Sequence, residues 1–370
     1  MKSNSFHLAV MPGEGIGVEV MDAAREVLGA VEQRFGLAFR SDVIPGGAHH
    51  YKETGATLPA DAMQRAGDAD AILFGAMGWP DIRYPDGTEI APQLDLRVNF
   101  DLFAGVRPIR AIPGVPTALA HERAKDIDLV IVRESTEGLF ASRGKGKIID
   151  DREAHDFQVI TRATTEKLTD FSCDLARRRK AIRGTPGRVT LVDKANVFLS
   201  FAFMRQVFHE TAAARHPDID ARHHYVDAMA LDLVRRPWDF DVVPTENMFG
   251  DILSDLGAGL IGGMGFAPSA DLSQTKGLFQ PSHGTAPDIA GKGIANPTAM
   301  ILSTALMLDW LSAQHSSQSA ADAARAIESG IDQAFGMHGL RSHDIGGGNT
   351  TREITQKVVD LIRSGEADPK

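Results

Sequence analysis

Short apolar runs alternate along the chain with longer stretches in which apolar residues recur every three or four positions. FHLAVM (6–11), AILFGAM (71–77), DLVIVRES (128–135), RVTLVDKA (188–195) and FDVVPTE (240–246) are short and rich in aliphatic side chains, which predicts buried strands. Between them, GVEVMDAAREVLGAVEQRFG (17–36) and the segments 163–179, 197–214 and 298–312 carry the helical period. Alternation of this kind predicts an α/β architecture with a largely parallel sheet. The chain has no internal repeat, no low-complexity segment and no linker long enough to separate independent domains. Any division into lobes therefore requires a chain that crosses between them. The polar tail after about 363 is expected to fray.

Composition narrows the class. A chain of 370 residues with 43% hydrophobic content has room for two domains and a large core, and its net charge of −10 argues against nucleic acid or an anionic membrane as partner. The one basic run, RRRK at 177–180, reads as a solvated helix end. A single cysteine, Cys173 in LTDFSCDLA, excludes a disulfide framework, predicts a reducing compartment and sits where a small buried side chain is expected. No apolar leader precedes the first strand, and no apolar run reaches the ~18 residues of a membrane span. A cytoplasmic, soluble protein is expected.

Four segments could carry chemistry. PGEGIGVEV (12–20) places glycines at 13, 15 and 17 between a strand and a helix, so backbone can approach a ligand closely. Val18 stands where the dinucleotide fingerprint needs glycine or alanine, and a tight βα turn explains the stretch equally well. Arg97, Arg107 and Arg133 each lie beside a strand or loop, and a guanidinium suits carboxylates, although single arginines are more often surface ion pairs. GDILSDLGAGLIGG (250–263) sets Asp251 and Asp255 one helical turn apart, where like charges weaken a helix. Such paired acids suit Mg²⁺ or Mn²⁺, with Asp227 in HHYVDAMAL a possible third; an exposed face with unrelated acids is the plainer reading. PSHGTAPDIAGKGIANPTA (281–299) is too irregular for a helix and too long for a simple turn, and loops of that length are usually functional.

Taken together, these segments resemble the β-decarboxylating dehydrogenases, the family of isopropylmalate, isocitrate, homoisocitrate, tartrate and D-malate dehydrogenases. LVDKANV, YVDAMA, NMFGDILSD and HGTAPDIAGKGIANP occur in order, and the likeness runs from PGEGIG near 12 to DIGGGNTT near 350. The resemblance implies two interleaved α/β lobes with a cleft between them and no fingerprint-type Rossmann fold. Residues 1–102 with 262–370 would form the dinucleotide lobe, and 103–261 the dimerisation, substrate and metal lobe. It implies a homodimer with shared active sites. Asp251 and Asp255 would bind Mg²⁺ or Mn²⁺ with Asp227 of the neighbour, Arg97, Arg107 and Arg133 would hold substrate carboxylates, and Lys194 from the partner would help move the hydroxyl proton. The cofactor would lie on His283, Gly284, Ala286, Asp288, Ile289 and Asn296. Asp288 followed by Ile289 is the family pattern for NAD, since a carboxylate accepts from both ribose hydroxyls and repels a 2′-phosphate.

Two features separate this chain from its relatives. The family usually reads RExTxGxY, with the tyrosine protonating the enol after decarboxylation; here RESTEGLF places Phe140 there. Either water supplies that proton or the chemistry stops differently. The positions seven, four and three residues before the first arginine, which sort substrates in the family, hold Ile90, Gln93 and Leu94. With Val197 they would make a mainly apolar pocket with one polar contact, favouring a 3-isopropylmalate-type substrate. GAMGWPD and RPIRAIPGVP look more like the tartrate and D-malate branch. A non-catalytic binding member is the remaining alternative, against which stand all the acids, Lys194 and all three arginines.

Overall fold

The computed structural model describes residues 4–367. In chain order its strands are β1 (Ser5–Met11), β2 (Ala38–Val43), β3 (Ala71–Phe74), β4 (Ala104–Arg110), β5 (Asp128–Glu134), β6 (Lys147–Ile149), β7 (Glu153–His155), β8 (Arg188–Asp193), β9 (Asp220–Tyr225), β10 (Val242–Thr245), β11 (Pro268–Leu272) and β12 (Gly277–Pro281). The helices are α1 (Ile16–Phe35), α2 (Ala48–Thr54), α3 (Ala62–Asp68), α4 (Pro92–Asn99), α5 (Arg162–Arg183), α6 (Leu199–Arg215), α7 (Val226–Arg235), α8 (Asn247–Leu260), α9 (Thr298–His315), α10 (Gln318–Gly336) and α11 (Thr351–Ser364).

The chain divides into two compact units, one of residues 1–100, 112–118 and 261–370, the other of 101–111 and 119–260. Residues 112–118 correct the expected span of 103–261. Val115 and Ile112 are buried, and Gly114 lies so near the backbone of Phe335 that a Cβ would stand 2.3 Å from its carbonyl oxygen. That contact ties the segment to the first unit.

In the first unit the strands run β2-β1-β3-β12-β11, parallel except for the antiparallel β11–β12 pair. Leu8, Val10, Ile72, Leu73 and Phe279 are fully enclosed, and α1, α9, α10 and α11 pack together around the sheet. α9 buries twelve of its eighteen residues, so it is apolar nearly all round, as a central helix must be. At the tail, Ala367 is buried and Gln333 Nε2 donates to the Glu366 carbonyl (2.7 Å), so order extends past the expected fraying point; residues 368–370 lie outside the described residues.

In the second unit the order is β4-β5-β10-β8-β9, with β4 antiparallel to β5 and the rest parallel. α5 and α6 pack on β8, and α5 also on β10. Cys173 on α5 is fully buried, and burial pushes its thiol pKa up to about 12, leaving an inert apolar side chain. The basic run on the same helix is solvated only in part, with Arg178 and Lys180 exposed. Arg179 is buried, donating to Asp241 (2.7 Å) and to Asp128, and Arg177 pairs with Asp218. β6 and β7 form a separate antiparallel hairpin with every residue exposed. No described helix is long and apolar enough to cross a membrane.

Candidate active site

β4 and β5 pair with Gly105 opposite Arg133 and Arg107 opposite Ile131. Arg107 and Arg133 are thus diagonal neighbours on one face, close enough for long side chains to share an environment. α8 packs against both strands. Its glycines permit the approach: a Cβ on Gly250 would stand 2.7 Å from the Arg133 Cβ, and one on Gly257 2.0 Å from Ile109 Cδ1. Asp251 and Asp255, on successive turns of α8, consequently lie beside the arginines. Arg133 donates from Nη1 to Asp251 Oδ1 and from Nε to Asn247 Oδ1 (2.9 Å).

The electrostatics of this cluster are unbalanced in a specific way. Asp255 titrates above the usual carboxylate range, first because it is partly buried and then because Asp251 is charged; Arg107 and Arg133 act in the opposite direction. Asp251 remains 53% exposed, so its oxygens are reachable from solvent. Two hard-oxygen donors one turn apart fit a divalent cation such as Mg²⁺ or Mn²⁺, and the adjacent guanidinium groups fit carboxylates. Within one chain, no three His, Cys, Asp or Glu side chains among the described residues come together as a metal-holding group.

Asp227 sits elsewhere, in the first turn of α7, where Lys194 Nζ donates to its Oδ1 (2.6 Å). That bond holds the Asp227 carboxyl below its ordinary range. The neighbouring Asp193, fully buried, fixes the turn that carries Lys194: it accepts from the Ala195 amide (2.9 Å) and from Arg205 Nε and Nη2 (2.8 and 2.6 Å). Val197 begins an exposed apolar run with Phe198 and Leu199.

In the first unit, the turn at 12–17 is built for close backbone contact. Gly15 has φ +57°, and a Cβ there would lie 2.1 Å from the Thr285 carbonyl; Ile16 N donates to the same oxygen (2.9 Å). The buried Glu14 carboxylate accepts from the amides of Ala48, His49 and Gly78 and from His49 Nδ1. Residues 282–297 form no regular element apart from turns. Their His283 has an Nδ1 contact to Gly284 O (3.0 Å), while its buried Nε2 has no partner, and burial lowers its pKa, keeping the imidazole neutral. Gly284 and Asp288 are exposed, Ala286 adopts φ +38°, and Ile289 N donates to Ala286 O (3.1 Å). Glu19 accepts from Gly291 N, anchoring the loop to α1. An unpartnered ring nitrogen and an exposed carboxylate on one loop fit a nucleotide's polar groups. Asn296 lies at the end of the same loop. Its amide nitrogen donates to Asp344 (3.1 Å) and its oxygen accepts from Thr298 N (3.1 Å), so the side chain ties the loop to the start of α9.

α4 carries the remaining residues. Arg97 is buried and donates from Nε and Nη2 to the enclosed Asp271 (3.1 and 3.0 Å). One turn earlier, Gln93 has a buried Oε1 without a partner. Leu94 is half-buried, and Ile90, just before α4, is fully enclosed. Sequence reasoning also missed two buried acids near Arg133. Glu134 is almost fully enclosed, and burial pushes its pKa up to about 7 against hydrogen bonds from Thr136 and Glu137. Glu246 accepts from the Met248 and Phe249 amides at the start of α8, and its other oxygen lies where a Cβ on Gly138 (φ +76°) would fall, 2.1 Å away. Only that glycine signalled the arrangement in the sequence.

Comparison with known proteins agrees with this geometry. Residues 7–361 match the family described as isocitrate/isopropylmalate dehydrogenase. A 3-isopropylmalate/3-methylmalate dehydrogenase of Methanocaldococcus jannaschii is 40% identical over 96% of this chain and 98% of its own. Among solved structures, an isocitrate dehydrogenase from Methylococcus capsulatus is similar with a TM-score of 0.83 at 34% identity, covering 97% of this chain and 99% of that one. A β-decarboxylating dehydrogenase from Thermococcus kodakarensis, in its apo form, gives 0.78 at 32% identity, covering 97% and 96%. The chain belongs to the isocitrate/isopropylmalate dehydrogenase family and is a decarboxylating dehydrogenase.

Proposed function

We propose that this enzyme oxidises and decarboxylates a 2-hydroxy dicarboxylate of the 3-isopropylmalate type, using NAD and Mg²⁺ or Mn²⁺. The observation that carries the proposal is the placing of Asp251 and Asp255 against Arg107 and Arg133 on one face of β4 and β5. The acids suit a cation and the arginines suit carboxylates, and a chelated hydroxy dicarboxylate brings both kinds of group together. When bound, the metal supplies Lewis-acid stabilisation of developing negative charge and NAD supplies the hydride acceptor.

The chain's own groups then have distinct tasks. Arg107 and Arg133 orient substrate carboxylates, and Arg97 is a third guanidinium of the right chemistry for them. The exposed Asp288 accepts hydrogen bonds from ribose hydroxyls, Ile289 packs beside it, and His283, Gly284 and Ala286 shape the loop around the nucleotide. Lys194, held by Asp227, assists transfer of the hydroxyl proton.

A homodimer with shared sites is part of the proposal. Phe198 and Leu199, the latter 87% exposed, adjoin Val197, while Ile252 on α8 is 61% exposed and Leu231 and Val234 project from α7, which packs on α8. Apolar exposure of this extent on one unit marks an association surface. In the dimer, Lys194 and Asp227 would serve the neighbour's site, with Asp227 as third metal ligand. The cytoplasm suits a metabolic enzyme of this kind.

One observation favours a second reading. The unpartnered Gln93 Oε1 on α4 calls for a donor, which a 3-hydroxyl group on a tartrate-like substrate provides. Steady-state NADH formation by the purified protein with Mn²⁺, measured across 3-isopropylmalate, 3-methylmalate, D-malate and tartrate, tests the reading. Highest kcat/KM with 3-isopropylmalate is expected. Highest kcat/KM with tartrate supports the second reading, and no NADH with any of the four overturns both.

A further inference from the structure

Asp271 is fully enclosed, and its carboxylate faces Arg97. It lies on β11 opposite Leu278, and Ser269, two residues earlier, lies opposite Gln280 on β12. Asp271 and Gln280 are therefore diagonal neighbours on the same face. Three donors converge on one oxygen, Asp271 Oδ2: Arg97 Nε (3.1 Å), Arg97 Nη2 (3.0 Å) and Gln280 Nε2 (2.9 Å).

The geometry decides which part of Arg97 remains available. A guanidinium offers two edges to carboxylates, one through Nε and one through its two terminal nitrogens. Asp271 occupies the Nε edge. Nη1 makes no hydrogen bond among the described residues, so the terminal edge is left for an incoming anion. We propose that Asp271, steadied by Gln280, is a positioning residue that locks Arg97 with its terminal edge directed at a substrate carboxylate. This rests on the substrate role given to Arg97 under Proposed function.

Two physical effects predict opposite results, which makes the role measurable. If charge alone mattered, removing the Asp271 carboxylate would release a full positive charge and tighten binding of an anion. If orientation matters more, the freed guanidinium samples other rotamers and binding weakens. Calorimetric titration of the full-length protein with 3-isopropylmalate in Mn²⁺ separates them. Asp271→Asn is expected to weaken the Kd by about tenfold, the scale on which small misplacements of a binding group act, while the Kd for NAD is unchanged. In an Arg97→Met background the same substitution should have no further effect, because paired residues couple and independent ones add.

Tighter binding by Asp271→Asn, or equal weakening in both backgrounds, overturns the positioning role. If Arg97→Met alone leaves binding unchanged, the role of Arg97 fails and this one falls with it; if Arg97→Met weakens binding and Asp271→Asn does not, only the positioning role is overturned. Absence of binding to the unmodified protein overturns both. Should Asp271→Asn not accumulate as folded protein, Gln280→Met leaves the ion pair in place while freeing Asp271 to shift. It is expected to weaken binding in the same direction, and unchanged binding contradicts the role.

Discussion

The Arg133 guanidinium carbon lies 5.2 Å from the centre of the Phe140 ring. Phe140 is 37% exposed, and its π-face stabilises the cation that Arg133 also directs to Asp251. A phenylalanine has no proton to give, so the position where the family resemblance leads one to expect a tyrosine here supports an arginine instead. General acid catalysis is typically worth about 10²–10⁴-fold. Protonation after decarboxylation is then expected to limit turnover, with a burst of NADH before the steady state. Phe140→Tyr should raise steady-state turnover and shrink the burst in stopped-flow absorbance. Linear kinetics from the first turnover and no gain from the substitution would show that water suffices.

Asp251→Asn and Asp255→Asn should each abolish metal-dependent turnover. Asp255→Asn should not lower the Tm of the metal-free protein, because it removes one half of a like-charge pair on adjacent turns of α8, whereas Asp251→Asn also takes the charge partner from the buried Arg133 and should lower it. Initial rates of NADH formation with and without Mn²⁺ check the first part, and differential scanning fluorimetry of the metal-free proteins checks the second. A variant that keeps its rate and its Mn²⁺ dependence places the metal elsewhere.

Cofactor choice should follow the residue pair after HGTAP, the exposed Asp288 and the half-buried Ile289. Asp288→Lys with Ile289→Tyr should lower kcat/KM for NAD and raise relative use of NADP, since a cation at 288 pairs with a 2′-phosphate that the carboxylate repels. An unmodified enzyme that prefers NADP contradicts the assignment.

Glu134 predicts a pH effect on stability. Its folded pKa of about 7 lies above the ordinary 4.5, so its favourable contribution is complete below 4.5 and is lost as pH rises through 7. The shift corresponds to roughly 3 kcal/mol lost by the alkaline side. Glu134→Gln should flatten that part of the fall in unfolding free energy between pH 4.5 and 8.5. A denaturant series at five pH values reads the slope, and an unchanged slope rules Glu134 out as its source.

The strands with continuous apolar runs, β1, β3, β5, β8 and β10, were legible because each is enclosed by neighbours. β2 (AFRSDV) and β9 (DARHHY) are the outer strands of their units and mostly polar, so no run marked them. β4 was hidden by two arginines and Pro108, which tolerate a strand at the turn of direction where β4 runs antiparallel to β5. The acids and arginines were legible as residue types in familiar motifs. Their partners were not: Asp271 is 174 residues from Arg97, and Asp241 is 62 from Arg179. Long-range pairing of that kind leaves no local period, so a buried Arg179 looked like part of a solvated helix end.

The most direct measurement is the stoichiometry of NADH and CO₂ formed from 3-isopropylmalate in one reaction with Mn²⁺, repeated after chelation of the metal. Equal amounts of both products with Mn²⁺, and neither after chelation, are expected from two acids and two arginines gathered on one sheet face. NADH without CO₂, or turnover that persists without metal, would contradict a metal-dependent decarboxylating dehydrogenase.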